Sequence, residues 1–496
     1  QKKDFYSAKK LLQKAIQINP NYAETHYNLG LVFNELNDFE NAINCYKKAI
    51  EINPNYADAY NNLGNCKKEL EDLSEAINCY EKAIKINPNY VDAYNNLGII
   101  FKQIGEEDKA INCYQKTIQL QPNYVKAYYN LGLAFKEIGE DLKAINCYKK
   151  AIEINPNYAD AYNNLGNCYK DQGDFKNAIL HYELATKSMP ENLGYFYPLS
   201  ELNKEILNLD LKKNVEKVIN ATNCSNINLA FGNFLLAKFE NKEKNYEKEI
   251  THLTKAHEKY FESKKIKFER QLNYWLKVLP NLSKSNDLNT FNIAHEEIKP
   301  IFIVGVPRCG STMLEKVIAS GSKLIPIGEE TSLLHKFILK KTHLQNLKNE
   351  SFDKMVLEKY KRKGLIQENN NNVFTDKSLE NFFYIGLIKK TFPNAKVINC
   401  KRNISSSIMS IMKNNLVEVP WAHNIENIFK YFDIYHEIIL HFEKTCPGFV
   451  YNLDYEKLVS EPEAESKKLM SFCDLPWDKK CLEFYKRKDL ISKTAS

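Results

Sequence analysis

A short apolar run followed by a glycine-bearing loop is the first place where the sequence could support chemistry. Ile301–Val304 leads into residues 305–312, Gly-Val-Pro-Arg-Cys-Gly-Ser-Thr, and apolar residues at helical spacing follow. This order predicts a strand, a loop and a helix start, where backbone N–H groups bind anions and Ser or Thr hydroxyls add hydrogen bonds. The candidate phosphate-binding residues are Arg308, Cys309, Gly310, Ser311 and Thr312.

The loop lacks the signature of a nucleoside triphosphatase. In that motif a Lys follows the second Gly and reaches the β- and γ-phosphates, whereas Ser311 follows it here. A nucleophilic role for Cys309 is also disfavoured, because no His stands nearby in the sequence to activate it. Neither His335 nor His343 has metal-ligand spacing with a Cys, so no metal site is predicted.

A second anion site is indicated downstream of the loop. Arg402 follows the apolar run 396–400, and Ser410 lies eight residues further on. Eight residues are just over two helical turns, so an Arg at a strand end and a Ser on the next helix can face one phosphate. Such a pair is common on protein surfaces, but downstream of a phosphate loop we interpret it as a second phosphate site.

The C-terminal part of the chain, about residues 300–496, resembles the sulfotransferases in several ordered segments. The loop resembles their 5′-phosphosulfate loop, in which Pro-Arg-Ser-Gly-Thr-Thr is typical. Gly-Glu-Glu-Thr at 328–331 resembles protein-tyrosine sulfotransferases. Thr-Asp-Lys at 375–377, with Asn381, resembles bacterial repeat-linked sulfotransferases, although Ser378 and Leu379 replace the usual Met-Pro. The spacing from Arg402 to Ser410 is that of the family's 3′-phosphate site.

The resemblance implies a donor and a set of roles. The donor is 3′-phosphoadenosine-5′-phosphosulfate (PAPS), held by the loop with Arg402 and Ser410, and no metal is needed. Arg308 and Lys377 steady the transferring group. The general base is Glu329 or Glu330: the Gly-Glu-Glu-Thr match favours Glu330, and counting from Arg308 favours Glu329. A role for both as surface or helix-capping carboxylates stays open.

The elements before this domain form a repeat. Asn-Pro-Asn-Tyr or a near variant recurs every 34 residues, which is the tetratricopeptide (TPR) period of helix–turn–helix units. Each unit buries its apolar face only against its neighbours, so the array is a solenoid with a concave surface. The prolines that mark the period are Pro20, Pro54, Pro88, Pro122, Pro156 and, in a decayed copy, Pro190.

One polar position of the repeat is a candidate peptide-binding ladder. An Asn precedes the Leu-Gly pair in each unit, on the helix that lines the concave side, and its amide can both donate to and accept from a peptide backbone. The ladder resembles that of O-GlcNAc transferases. Recent duplication alone would also make the residue recur, so both explanations stay open. The ladder residues are Asn28, Asn62, Asn96, Asn130 and Asn164.

Together these features predict an α-solenoid followed by an α/β, P-loop-like domain with a parallel central sheet. We expect a TPR array over 1–188, with five full repeats and a partial N-terminal one. Degenerate helical repeats over 189–298, to which we assign no chemistry, join it to a sulfotransferase domain over 299–496. Relatives continue beyond a Thr-Ala-Ser like the one at 494–496, so we expect the domain to be truncated at its C-terminus.

Composition excludes several other classes. The net charge of +7 is spread thinly over 496 residues and forms no basic stripe, so nucleic acid is not a predicted partner. No apolar run approaches the ~20 residues of a membrane span. Six of the twelve Cys recur within repeats, too far apart for disulfides and typical of a reducing compartment. We therefore expect a cytoplasmic protein, although Gln1 leaves room for an upstream signal.

The leading functional hypothesis is a PAPS-dependent sulfotransferase whose concave TPR face presents a polypeptide, with tyrosine as the acceptor. A carbohydrate or small-molecule sulfotransferase, with repeats that serve only assembly, is the enzymatic alternative. A non-catalytic TPR adaptor with a decayed transferase domain is the alternative from another class.

Overall fold

The computed structural model describes residues 2–284, 295–321, 325–328, 330–336, 338, 352–366, 372–417 and 419–486. By internal contacts the chain divides into two compact units, Gln1–Leu165 and Gly166–Ser496. In the described part, no helix is long and apolar enough to cross a membrane. All twelve cysteines lie in this part, and none of them forms a disulfide.

The first unit is an array of paired helices, as the 34-residue period predicts. The pairs pack closely because each Leu-Gly glycine faces a tyrosine ring of the partner helix. A Cβ on Gly30 would lie 2.6 Å from the Tyr46 ring, and one on Gly98 would lie 2.7 Å from the Tyr114 ring. The helices are Lys2–Ile18, Ala23–Glu35, Phe39–Ile52, Ala57–Glu69, Leu73–Ile86, Val91–Gln103, Glu107–Leu120, Val125–Glu137, Asp141–Ile154 and Ala159–Asp171, the last of which continues into the second unit.

The second unit begins with further α-helices, which vary in length along the segment and do not keep the regular 34-residue period. Asn226–Lys242 and Tyr246–Ser263 form the most extensive pair, and Phe234, Ala237, Leu253 and Ala256 are buried between them. A short π-helical turn, Tyr274–Val278, connects helix Lys265–Asn273 to helix Leu279–Lys284. The α-helices of this segment are Phe175–Ser188, Phe196–Leu202, Leu209–Ile219, Asn226–Lys242, Tyr246–Ser263, Lys265–Asn273 and Leu279–Lys284.

A parallel sheet forms the centre of the C-terminal domain, which confirms the predicted fold class. Its strands are β1 (Ile301–Gly305), β2 (Thr375–Asp376), β3 (Lys396–Lys401) and β4 (Val450–Asp454), in the order β2-β1-β3-β4. All described pairings are parallel. β1 is buried along its whole length, as expected for a strand covered on both faces.

Helices and 3₁₀ turns cover the sheet. Because the strands are parallel, their carboxyl ends meet at one edge, where ligands bind in open α/β sheets. The loop after β1, Lys377 after β2 and Arg402 after β3 all stand at that edge. The covering elements are Ser311–Ala319, Phe352–Arg362, Leu379–Tyr384 (3₁₀), Ile385–Thr391, Ile404–Lys413, Pro420–His423 (3₁₀), Ile425–Thr445, Tyr455–Ser460, Pro462–Phe472 and Lys479–Lys486 (3₁₀).

Candidate active site

The loop after β1 has the backbone of an anion-binding site. Arg308 and Gly310 both adopt positive φ angles, 69° and 96°, and helix Ser311–Ala319 starts directly afterwards. Gly310 is the N-cap of that helix, and no side chain in the described part of the chain caps it. The first N–H groups of a helix have no partner within the helix, so this end can receive an anion.

Gly310 is required by its surroundings as well as by its φ angle. A Cβ at this position would overlap the ring of Tyr455, the first residue of the helix that follows β4. The same ring lies 5.1 Å from the guanidinium carbon of Arg402. Tyr455 therefore packs between the phosphate loop and the Arg of the predicted second phosphate site, a role that the sequence did not reveal.

Arg308, Arg402 and Ser410, which are far apart in sequence, lie together. Arg308 Nε donates to Ser410 Oγ at 2.9 Å, and Arg402 Nη1 donates to the Arg308 carbonyl oxygen at 2.8 Å. Arg402 Nε is buried and has no hydrogen-bond partner among the described residues. Two guanidinium groups thus converge beside an uncapped helix N-terminus, which makes this a strongly anion-attracting region.

Lys377 reaches the loop from the end of β2. Its Nζ donates to Thr312 Oγ1 at 3.2 Å and lies 3.8 Å from Glu315 Oε2. The Lys377 and Glu315 side chains are only 2% and 3% exposed. Thr375 Oγ1 donates to the other Glu315 oxygen at 2.6 Å. Lys377 is therefore held by a buried carboxylate, which sequence reasoning missed because Glu315 looks like an ordinary helix residue.

A second buried carboxylate, Asp376, holds the Gly-Glu-Glu-Thr segment against β2. Thr331 Oγ1 and the Tyr360 hydroxyl donate to its Oδ2 at 2.6 and 2.7 Å. The Ser378 hydroxyl and the Asn381 amide donate to Oδ1. With this many donors the carboxylate is a structural hub rather than a free base.

The structure describes only one of the two candidate general bases. Glu329 lies outside the described residues. Glu330 is exposed. It is next to Thr331, which donates to Asp376 at the end of β2, directly before Lys377. Its charge also acts on Glu380, whose pKa is raised by burial first and by neighbouring Asp376 and Glu330 as well. Glu380 is thus a further carboxyl group here, which the sequence analysis did not single out.

Cys309 faces the interior of the loop. It is fully buried, its carbonyl accepts from the Cys400 thiol at 3.2 Å, and its own N–H donates to Val306. Hydrogen bonding to Cys309 and burial raise the pKa of the Cys400 thiol well above its usual value. Cys309 therefore packs against β3, and its backbone forms part of the loop.

The helical segment before β1 contacts the active-site domain directly. His257 Nε2 donates to the Met412 carbonyl oxygen at 2.8 Å, and the Tyr260 hydroxyl donates to the Val417 carbonyl oxygen at 3.3 Å. Both acceptors belong to residues 412–417, directly after Ser410. The segment to which the sequence assigned no chemistry therefore holds the chain that follows a predicted phosphate ligand.

The asparagine ladder has a structural role that was not considered from sequence. From Asn62 onward, each ladder amide nitrogen donates to the residue one position before the ladder residue of the preceding repeat. These bonds tie successive repeats together. At Asn62 the amide oxygen is engaged as well, because it accepts from Asn65 Nδ2 at 3.2 Å and from Asn61 Nδ2 at 3.4 Å. They run from Asn62 to Tyr27 at 2.9 Å, Asn96 to Asn61 at 3.2 Å, Asn130 to Asn95 at 3.1 Å and Asn164 to Tyr129 at 2.9 Å.

Among the described residues, no group of three or more His, Cys, Asp or Glu side chains is arranged to hold a metal ion.

Family comparisons match both halves of the chain. Residues 300–479 match the sulfotransferase family. TPR repeat models match 1–37, 30–70, 67–105, 100–139 and 134–173, and a further tetratricopeptide repeat matches 159–192. The predicted TPR array and the predicted sulfotransferase-type domain are thereby confirmed.

Several known proteins are similar to parts of the chain. An uncharacterized protein of Aquifex aeolicus (strain VF5) is 30% identical over 307 residues, 57% of this chain and 39% of that protein. The protein-tyrosine sulfotransferase of Drosophila melanogaster is 23% identical over 214 residues, 37% of this chain and 40% of that protein. The chain thus spans about two fifths of these relatives' lengths. The crystal structure of MamA is 31% identical with a TM-score of 0.31, covering 33% of this chain and 95% of MamA.

Proposed function

The chain carries TPR repeats followed by a domain of the sulfotransferase family, and from this premise we propose that it is a PAPS-dependent sulfotransferase. The acceptor we propose is the hydroxyl of a tyrosine in a polypeptide presented by the repeats. The observation that carries the proposal is the convergence of Arg308, Lys377 and Arg402 on one uncapped helix N-terminus.

The residues present fit the donor nucleotide. Ser311, Thr312 and the open helix N-terminus would hold its 5′-phosphosulfate, and Arg402 with Ser410 would hold its 3′-phosphate. The buried Arg402 Nε, which has no partner among the described residues, supports the second assignment, because a buried guanidinium donor is costly without an acceptor. When bound, PAPS supplies the sulfuryl group.

The chain's own groups meet the needs of sulfuryl transfer. Glu330, exposed at the edge of the site, would take the proton of the acceptor hydroxyl. The Arg308 guanidinium and the Lys377 ammonium would offset negative charge on the transferring group and the leaving oxygen. Because Lys377 is anchored to Thr312 and Glu315, its charge is already in place and does not have to be ordered during the reaction.

Presentation of the acceptor falls to the repeats in this proposal. The ladder amide nitrogens are engaged between repeats, so the ladder would bind through amide oxygens such as those of Asn96 and Asn130, which can accept from a peptide N–H. The similarity to a protein-tyrosine sulfotransferase and the Gly-Glu-Glu-Thr segment support tyrosine over a sugar.

The test combines nucleotide binding with sulfate transfer. The product nucleotide, 3′-phosphoadenosine-5′-phosphate (PAP), should protect the chain against thermal unfolding, and ATP should protect it much less because it lacks a 3′-phosphate. Labelled sulfate should then pass from PAPS to a tyrosine-peptide library and not to a panel of sugars. Transfer to sugars alone would show that the acceptor is a carbohydrate and not tyrosine. Equal protection by PAP and ATP would contradict the assignment of PAPS as the donor.

Three variants locate the base. Glu330→Gln should lower kcat by about 10²-fold, as expected when a general base is lost, with PAP affinity unchanged. Glu329→Gln should lower kcat only slightly. Glu461→Gln, at an exposed carboxylate outside the site, is the control and should behave like wild type. If Glu329→Gln carries the loss instead, the base is Glu329; if neither variant loses rate, the base lies elsewhere.

A further inference from the structure

Tyr197, a residue of the helical segment, reaches the neighbourhood of the active site. It lies on helix Phe196–Leu202, and its hydroxyl oxygen accepts from the Asn415 backbone N–H at 3.4 Å. Asn415 follows Ser410 by five residues. A tyrosine hydroxyl that accepts one hydrogen bond still has its own proton to donate, so Tyr197 brings a hydrogen-bond donor to this place.

The ring of Tyr197 is held firmly. The Lys238 ammonium lies 4.1 Å from the ring centroid and donates to Ser200 Oγ at 2.8 Å. Phe231 and Phe234 pack at centroid distances of 5.8 and 5.6 Å. A ring fixed on several sides directs its hydroxyl to one place, which is what a positioned donor requires.

Hydrogen bonds relate the place of the Tyr197 hydroxyl to Arg308. The hydroxyl contacts Asn415, which follows Ser410 by five residues, and the Ser410 hydroxyl accepts from Arg308 Nε at 2.9 Å. Burial and the charge of Glu201 raise the pKa of the Tyr197 phenol above its usual value, while the Asn415 hydrogen bond and the positive charge of Arg308 act in the opposite direction. The net effect keeps the phenol protonated at neutral pH. A neutral O–H donor therefore stands beside the stretch of chain that follows Ser410, the hydrogen-bond partner of the guanidinium assigned to the transferring group.

We propose that Tyr197 is a further residue of the transfer site, and that it donates its hydroxyl hydrogen bond to a sulfuryl oxygen beside Arg308. This inference rests on the proposed function. The bond from sulfur to the acceptor oxygen forms as the bond from sulfur to the donor's phosphate oxygen breaks, and the acceptor proton passes to Glu330. Tyr197 keeps its proton throughout. One side of the site is then supplied by the helical segment rather than by the transferase domain.

The test compares two tyrosine variants in the full chain. Tyr197→Phe removes only the hydroxyl and should lower kcat about tenfold, the scale of one hydrogen bond made in the transition state. Its PAP affinity should stay within about twofold of wild type, because PAP carries no sulfuryl group. Tyr260→Phe removes a hydrogen bond to the same segment through Val417, so it reports the effect of loosening residues 412–417 and should keep near-normal kcat.

The outcomes separate this inference from the proposed function. Two results in Tyr197→Phe would overturn the inference: a normal kcat, or weaker PAP binding. Equal losses of kcat in Tyr197→Phe and Tyr260→Phe would also overturn it, because Tyr197 would then only anchor residues 412–417. A wild-type chain that neither binds PAP nor transfers sulfate contradicts the proposed function and this inference with it. An active wild type with normal Tyr197→Phe contradicts this inference alone.

Discussion

The ion pair between Lys377 and Glu315 allows the catalytic role of Lys377 to be separated from its structural role. Replacing Lys377 by Met keeps a similar length but leaves Glu315, 3% exposed, without the ammonium 3.8 Å away. Removing one partner of a buried pair costs about 3–5 kcal/mol. Because Thr375 still donates to the carboxylate, we expect the low end, about 3 kcal/mol.

A double variant removes this cost but not the loss of activity. In Lys377→Met with Glu315→Gln the buried charge is gone, and the amide oxygen can still accept from Thr375. Replacing a whole buried ion pair by well-packed hydrophobic residues is often nearly neutral for stability. Met supplies such an apolar group and Gln keeps the acceptor for Thr375, so most of the lost stability should return. Sulfate transfer should stay low, by about 10²-fold, because no ammonium then stabilises the developing charge.

The assay is thermal unfolding of each variant beside labelled-sulfate transfer from PAPS. A loss of 3 kcal/mol should lower the melting temperature by several degrees, since about 1 kcal/mol shifts domains of 150–250 residues by ~2–4 °C. Lys467→Met is the control, because its ion pair with Glu463 is exposed (52% and 60%). Surface pairs contribute about 0–1 kcal/mol, so this variant should unfold nearly as wild type does.

Two results would refute the reasoning. If the double variant regains wild-type transfer, Lys377 acts only as the counter-ion of Glu315 and has no part in the chemistry. If Lys377→Met is as stable as wild type, the pair is not buried as described here, and any loss of rate in that variant becomes direct evidence of catalysis.

The remaining predictions concern the loop, the donor nucleotide and pH. Gly310→Ala should abolish measurable PAP binding in calorimetry, because its Cβ would overlap Tyr455. Gly448→Ala is the control and should bind PAP normally: Gly448 also has a positive φ (76°), but no described atom lies within 4 Å of the added Cβ. Arg402→Ala should weaken the binding of PAP at least tenfold and the binding of ATP only slightly. Equal losses of affinity for the two nucleotides would show that the 3′-phosphate site lies elsewhere. Burial lowers the pKa of His335 in the folded chain to about 4. As pH falls below ~6.5, this histidine is protonated in the unfolded chain while it stays neutral in the folded chain, which favours unfolding. The free energy of unfolding should therefore be about 2 kcal/mol lower at pH 5 than at neutral pH. His335→Phe should flatten that pH dependence in urea titrations, and an unchanged slope would contradict it.

The features that the sequence predicts correctly rest on short-range regularities. Each repeat contacts mainly its neighbours, so a 34-residue period is enough to specify a solenoid. The phosphate loop is contiguous from Gly305 to Thr312, and its order of strand, glycines and hydroxyls specifies the local backbone. The assignment of Arg402 and Ser410 as phosphate ligands stays a prediction, but their closeness in sequence already indicates that they lie near each other, and both contact Arg308.

The features that the sequence missed depend on side chains that meet across long separations. Glu315 is one of many helix carboxylates in the sequence, and only the fold places it beside Lys377. Glu380 follows the Thr-Asp-Lys segment, yet its pKa is raised by burial and by the charges of Asp376 and Glu330, which depend on the fold. The ladder amides donate to a residue 35 positions earlier, a pairing set by the stacking distance of repeats rather than by residue type.

The contacts between the helical segment before β1 and residues 412–417 restrict the choice of side chain in the helical segment more than in residues 412–417. His257 and Tyr260 bind backbone carbonyls, at Met412 and Val417, and Tyr197 binds a backbone N–H. Backbone groups are present whatever the side chains of 412–417 are, so that stretch can change its side chains without losing its anchors. The helical side has no such freedom, because each contact requires a particular polar side chain. Substitution in this segment should therefore disturb the site of the neighbouring domain more than substitution within 412–417 itself.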